Sequence, residues 1–462
     1  MQTMTENIIS MFTLGEIGEF LGALTEGAPG ARQIPIKGVK IDSREVNEGD
    51  LFVAVKGQNL DGHEFISQAF AKGAFAAVIA KSFTSNSPKE NEILLRVDDT
   101  LYALGEIAKY YRDKAYAKVI AVTGSNGKTT AKNMIYAVIS NHAKAIKSQG
   151  NFNNLYGLPL SIFGLSEDTE YAVFELGMSR SGEISRLGEI ASPDIGVITN
   201  IGPVHLEFFK DLRDIASAKL ELVERIKTGG VIIINGDDEL LKSRDEINKL
   251  KSIKFGLSYN NDIYPTDLSF DNNQFPSFKI DGAEISLRYP GIHNVYNALA
   301  AYSVAVAEGI EKSLAAEALN RLKPEGLRSR VIDKSGISFF IDCYNANPVS
   351  MKYAIDTLAA MECNGRRIAV LGDMLELGES SDRFHREIGK HAKKAGLDIL
   401  LGFGEFAHGI VEEFGKGGEH FKEKTELISH LKKILGSGDL ILFKGSRGMA
   451  LEEIADNIMA GV

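Results

Sequence analysis

The sequence predicts an α/β protein of three domains: a small α/β domain first, a central domain with a mostly parallel sheet around a phosphate loop, and a doubly wound third domain. Three observations carry this. At residues 119–130 the apolar run Val119-Ile120-Ala121-Val122 meets Thr123-Gly124-Ser125-Asn126-Gly127-Lys128-Thr129-Thr130 and then a helical pattern. From residue 171 onward, short apolar runs alternate with helical stretches, the pattern of a parallel sheet covered on both faces. A length of 462 residues exceeds what one core serves.

The strand, loop and helix at 119–130 form a phosphate loop. Its glycines let backbone N–H groups turn inward, the helix start adds positive potential, and Lys128 and Thr129 are placed for a phosphate and a magnesium ion. Where the strict pattern has its first glycine, this loop has Val122.

Hydrophobic content of 44% and charged content of 25% are ordinary for a soluble globular chain. No apolar run nears the roughly 18 residues that cross a bilayer. The first positive side chain is Arg32, after Glu6, Glu16, Glu19 and Glu26, which does not suit a leader and places the protein in the cytoplasm. A net charge of -10 argues against nucleic acid and anionic membranes as partners. Cys343 and Cys363 have neither metal spacing nor a histidine nearby in sequence and read as structural.

In order, residues 36–44 and 49–57 hold strand-like runs, followed by a helix over 64–72, a buried strand over 76–80, a polar loop over 82–91 and a closing strand over 93–97. The first domain is therefore 1–98 and the central one 99–325. A helix over 100–114 leads into the phosphate-loop strand, and further strands are expected at 171–176, 195–199 and 231–235. Ligands of such sheets sit beyond the carboxyl ends of the strands. Glu175 ends one strand and His205 follows another: either could hold a metal, or be a solvated terminus and a capping histidine. Lys219 reads from spacing as a surface lysine inside a helix over 215–226. Asn151 to Asn154 form an amide-rich loop suited to a polar substrate or to turn making. Residues 260–278 suggest a hairpin insertion. Asn294 and Asn297, three apart at the start of a helix over 295–308, suit a base edge or N-capping. The third domain, 326–462, has strands at 338–341, 367–371, 398–401 and 440–443. Loops at 342–348, 372–378 and 444–448 follow three of them, the last offering Lys444 and Arg447 to an anion or to solvent.

The phosphate loop, Asn-Phe-Asn-Asn from Asn151, Phe-Glu-Leu-Gly-Met from Phe174 and Gly-Ile-His-Asn-Val-Tyr-Asn from Gly291 resemble the Mur ligases of peptidoglycan synthesis along essentially the whole chain. There the loop lacking its first glycine is normal. Asp-Cys-Tyr-Asn-Ala-Asn-Pro from Asp342, Val-Leu-Gly-Asp-Met-Leu-Glu-Leu-Gly from Val370 and Phe-Lys-Gly-Ser-Arg-Gly from Phe443 are similar to the members that add D-alanyl-D-alanine to UDP-N-acetylmuramoyl-tripeptide. The Asp-Asn-Pro-Arg motif of the diaminopimelate-adding members is absent.

The resemblance implies a Rossmann-like third domain, ATP held by Gly124, Ser125, Asn126, Gly127, Lys128, Thr129 and Thr130, and Mg2+ at Thr129, Glu175 and His205. It also implies a metal-ligating carbamate on Lys219, adenine at Asn294 and Asn297, and Arg328 and Asp342 approaching the nucleotide. Ser43 and Arg44 would take the uridine diphosphate end, Asn153 and Asn154 the acyl substrate, and Asn345, Asn347, Lys444 and Arg447 the dipeptide. It implies a monomer. A nucleotide-gated protein that hydrolyses ATP without ligation is the rival class.

Overall fold

The computed structural model describes residues 12–26, 32–57, 59–84 and 92–461. The opening residues and most of the polar loop expected at 82–91, residues 85–91, lie outside them.

The first sheet contains β1 (Leu24–Glu26), β2 (Val39–Lys40), β3 (Leu51–Val53), β4 (Ala76–Ala80) and β5 (Leu94–Val97), ordered β1-β5-β4-β3-β2 and parallel except for β1. The strand runs expected at 36–44 and 49–57 shrink to these short pieces because the loops around them bend away: Asp42 accepts from the Arg44 N–H, and Asp50 from that of Asn47. The helix expected at 64–72 is split into a 3-10 turn, Gly62–Phe65, capped by Asp61, and an α-helix, Ile66–Ala71.

The central sheet is all parallel: β6 (Lys118–Thr123), β7 (Ala145–Lys147), β8 (Tyr171–Glu175), β9 (Ile195–Ile198), β10 (Val231–Asn235) and β11 (Lys251–Phe255), in the order β11-β10-β9-β6-β8-β7. The chain leaves β6 in one direction for β8 and β7 and in the other for β9, β10 and β11. This reversal puts the phosphate loop in the crevice where such sheets bind ligands. The helix expected at 215–226 is an α-helix over Leu212–Leu220 and a 3-10 turn over Val223–Arg225. The insertion expected at 260–278 is a three-stranded antiparallel sheet, β12 (Thr266–Phe270), β13 (Pro276–Ile280) and β14 (Ala283–Ser286). The third sheet holds β15 (Arg330–Lys334), β16 (Ile337–Ile341), β17 (Arg367–Gly372), β18 (Ile399–Phe403), β19 (Gly418–Phe421) and β20 (Leu440–Lys444). Its order is β15-β16-β20-β17-β18-β19, parallel except for β15.

Helix Ile292–Ala307 explains its own alanine content. Val295 and the run 298–305 are all buried, and small side chains let it lie flat against the phosphate-loop helix Lys128–Ser140. Helix Thr100–Lys114 fastens the first sheet to the central one, since Leu104, Ile107 and Tyr111 share a single apolar cluster with Phe12, Leu14 and Ile17. Buried Arg112 secures its far end, donating from Nε to Ala191 O at 3.0 Å, from Nη1 to Ala115 O at 3.1 Å and from Nη2 to Ser192 O at 3.3 Å. Arg112→Ala strands three carbonyls beside a cavity; a loss of about 2 kcal/mol is expected. That loss lowers the thermal midpoint by about 4–8 °C in calorimetry.

Candidate active site

A cavity of about 670 Å3 lies where the carboxyl ends of β6, β8 and β9 face the third sheet's loops. Its floor is the phosphate loop, bent by two glycines that no other residue replaces. Gly124 has φ +146° and a Cβ there would lie 2.0 Å from Thr199 Oγ1; Gly127 has φ +81° and its Cβ would lie 2.3 Å from Asn297 Oδ1. Gly127→Ala is therefore expected to displace Asn297 and strain the loop, raising the KM for ATP about tenfold or more in steady-state assays.

Asn200 braces the loop by accepting from the Asn126 N–H at 2.9 Å and donating to Asn126 O at 3.1 Å. Ser125 exchanges hydrogen bonds with the Gly202 backbone, and Thr130 is buried at the helix start. Lys128 Nζ folds back onto Gly124 O at 2.8 Å. Burial pushes its pKa down; Glu175 opposes this and Arg328 adds to it.

Glu175, 2% exposed at the end of β8, is the centre of a buried network. Its Oε2 accepts from Thr129 Oγ1 at 2.8 Å, its Oε1 from Asn153 Nδ2 at 2.8 Å, and its N–H donates to Ser148 Oγ at 3.0 Å. Lys132, not singled out in the sequence, lies 3.6 Å from Glu175 and donates to Ser148 O at 2.9 Å and Gly150 O at 2.8 Å. It ties the amide-rich loop to the carboxylate. Asn154 Oδ1 accepts from the Tyr156 and Gly157 N–H groups, the turn-making alternative for that residue.

The third sheet supplies the roof. Asn347 caps helix Pro348–Ala360 and donates from Nδ2 to Asn126 Oδ1 at 2.5 Å. Arg328 stacks over Tyr344, 3.9 Å from its ring centre. Asp342 accepts from the Ser329 N–H and from Lys444 Nζ at 2.6 Å. Lys444 and Arg447 both line the cavity, yet neither is the free cation expected for a bound anion. Lys444 is buried, matched by Asp342 and donating also to Asn345 O, while Arg447 pairs with Glu452. The reason is local: a lysine closing a buried loop needs a carboxylate partner.

Asn297 lines the cavity but Asn294 does not. Asn294 is 1% exposed, donating to Pro290 O and accepting from Asn297 Nδ2 at 3.1 Å, so it aims its neighbour rather than facing a ligand. Ser43 and Arg44 also lie off the cavity: Ser43 donates to Gln68 at 2.8 Å, and Arg44 pairs with Asp42 at 2.7 Å. Lys219 is 1% exposed in helix Leu212–Leu220, and its Nζ forms no hydrogen bond or ion pair among the described residues. Burial, and then the charge of Lys128, push its pKa well below the ordinary value.

His205 lines the cavity with Nδ1 2.5 Å from Glu376 of the third sheet's loop. Among the described residues no group of three or more His, Cys, Asp or Glu is assembled for a metal. The oxygens of Thr129 and Glu175 and the His205 imidazole nevertheless suit a hard cation whose other ligands are phosphate oxygens and water.

Sequence reasoning also passed over Asp237, Asp238, His293, Tyr353 and Glu376, all on the cavity wall. The two aspartates follow β10, where the strand-end rule finds them. His293, stacked 5.5 Å from Tyr353 and pushed down to about 4 by burial, sits inside a quoted motif. Tyr353 has no local signal.

The family models for the Mur ligase family catalytic domain, the Mur ligase middle domain and the Mur ligase glutamate ligase domain match residues 35–112, 122–305 and 327–447. The UDP-N-acetylmuramoyl-tripeptide--D-alanyl-D-alanine ligase of Bacillus subtilis is 41% identical, over 93% of this chain and 95% of its own. The ligase of the same name from Escherichia coli is 35% identical over 96% and 97%. A MurF crystal structure from Acinetobacter baumannii superposes with TM-score 0.89 at 31% identity, covering 97% of this chain and 99% of that one. A MurF ligase from Thermotoga maritima in complex with ADP gives 0.82 at 31%, covering 91% and 97%. With a phosphate loop at the sheet's switch point and these likenesses along nearly its whole length, the chain belongs to the Mur ligase family.

Proposed function

We propose that the protein is an ATP-dependent ligase that joins D-alanyl-D-alanine to UDP-N-acetylmuramoyl-tripeptide through an acyl phosphate, a step of peptidoglycan synthesis. The observation that carries this is one cavity with a phosphate loop as its floor, the Asn153–Glu175 network on one wall and the loops of a second sheet above.

A carboxylate and an amine form a salt rather than an amide, because the carboxylate has no good leaving group. ATP passes its terminal phosphoryl to the tripeptide carboxylate, the dipeptide amine attacks the acyl phosphate, and phosphate departs with both electrons of the C–O bond. In this reading Lys128 swings from Gly124 O onto the transferring phosphoryl, and the phosphate-loop N–H groups hold the rest of the triphosphate. Thr129 and Glu175, and His205 with a carbamylated Lys219, would hold Mg2+, which would supply charge neutralisation for the transferring phosphoryl. Asn153 orients the acyl substrate and Asn297 the adenine, with Arg328 and Asp342 over the nucleotide. Asn345, Asn347 and the Arg447 loop face the dipeptide.

Residues 1–98, with Ser43 and Arg44, take the uridine diphosphate end; 99–325 bind ATP; 326–462 close over both and shut out water. In this reading the protein acts as a monomer. Among the described residues no helix is long and apolar enough to cross a membrane.

The test is phosphate release from ATP with UDP-N-acetylmuramoyl-tripeptide, with and without D-alanyl-D-alanine, followed by mass analysis. A pentapeptide product and release that needs both partners is the expected result. Release indifferent to the dipeptide, with no new mass, refutes ligation.

A further inference from the structure

His205 and Glu376 lie in loops that follow strands of different sheets, β9 and β17, and meet where the backbone of each loop is bent. Each has a left-handed backbone, φ +54° and φ +63°, which non-glycine residues adopt when their surroundings hold them there. The residues just beyond His205 and Glu376 explain the docking. Leu206 packs against the third sheet's apolar core as well as the central one, and the backbone of Glu207 lies under Gly378, whose Cβ position is 3.3 Å from Glu207 Cα. The segment 205–207 is thus a seat for the loop 372–378. The loop delivers one polar side chain into it, Glu376, with Oε2 2.5 Å from His205 Nδ1.

The chemistry of that bond is directional. A carboxylate accepts, so in the neutral ring the proton sits on Nδ1 and the lone pair is left on Nε2. A histidine with its tautomer fixed in this way is a better and better-aimed ligand for a cation. We infer that Glu376 is a positioning residue for His205, supplied by docking of the third sheet, so that the histidine is completed as a ligand only when the two parts of the molecule are together. Metal affinity and docking then favour one another by the same factor. This rests on the metal-assisted reading of the site given above.

The test uses the full-length protein with ADP, and Mn2+ as the probe, its free concentration followed by electron paramagnetic resonance. Glu376 is about half exposed, its side chain 52% accessible, so its variants are expected to fold, with circular dichroism as the check. Glu376→Ala is expected to weaken Mn2+ binding about tenfold or more. Glu376→Gln keeps most of the affinity, because its amide oxygen accepts the same Nδ1–H. In a His205→Ala background, Glu376→Ala costs nothing further. The inference is overturned if Glu376→Ala binds Mn2+ within about twofold of wild type, if it loses as much in the His205→Ala background, or if Gln is as weak as Ala. Wild-type protein that binds no Mn2+ with ADP overturns the metal reading itself and this inference with it; the other outcomes leave that reading standing.

Discussion

Lys128→Met is expected to cut ligation turnover by about three orders of magnitude while leaving the fold and the binding of UDP-N-acetylmuramoyl-tripeptide intact. The size follows from what a cation on a transferring phosphoryl contributes in a water-excluded site. Methionine keeps the length and the packing of the side chain, so the loss is one of charge alone. The geometry of the loop sharpens the expectation. Lys128 Nζ is held at 2.8 Å by Gly124 O, inside its own loop, and burial already disfavours its charge. An incoming triphosphate reverses that balance, giving the ammonium a partner it lacks. Lys128→Arg does not rescue, because a planar guanidinium cannot turn back within the same loop as a single compact donor can. Single-turnover formation of acyl phosphate, trapped by reduction or hydroxylamine, measures the step; a Lys128→Met rate within tenfold of wild type would remove Lys128 from the chemistry.

How much of this was legible in the sequence depended on burial. The interior strands β6, β8, β9, β10, β16, β17, β18 and β20 announce themselves as continuous apolar runs, since a strand buried on both faces has no polar alternation. The strands that went unread, β1, β7, β11, β14, β15 and β19, are all sheet edges. Lys251–Phe255 and Arg330–Lys334 each mix lysine or arginine into the run, the charge that edge strands carry against unwanted pairing. The site follows the same division. Residues whose roles are set by local backbone, such as the phosphate loop or Glu175 at a strand end, could be placed from sequence. Residues set by a partner far along the chain could not. Lys444 reads as a loop cation until Asp342, 102 positions away, is seen against it; Asn294 reads like Asn297 until both are seen buried and only Asn297 lines the cavity; Glu376 has a meaning only beside His205.

Lys219 is the case where sequence gave least and burial gives most, and it carries the second large effect. An uncharged amine is what attacks carbon dioxide: R–NH2 and CO2 give R–NH–COO− and a proton. An ordinary surface lysine is almost wholly protonated at neutral pH. Lys219 is not ordinary, because burial and the charge of Lys128 both disfavour its ammonium form, and no carboxylate stands against it among the described residues. The neutral amine is thereby favoured, and carbamylation would turn repulsion from Lys128 into attraction while creating an oxygen ligand for a hard cation. The sign of the pH dependence follows. Forming carbon dioxide from bicarbonate takes up the proton that carbamate formation releases, so the bicarbonate needed for half-maximal activity is level where the amine is neutral and rises only as the pH falls far enough to protonate it. Because the amine's pKa is lowered, that rise is expected at lower pH than for an ordinary lysine. Lys219→Met, which keeps the bulk without the amine, is expected to lose about a thousandfold in turnover at every bicarbonate concentration. Wild-type protein stripped of carbon dioxide is expected to lose activity and regain it on adding bicarbonate, with a carbamate carbonyl visible by carbon-13 NMR after labelling. Activity indifferent to bicarbonate, together with no such signal, would leave Lys219 an unmodified amine, whose neutral form relieves its repulsion with Lys128 but provides no carboxylate for a metal.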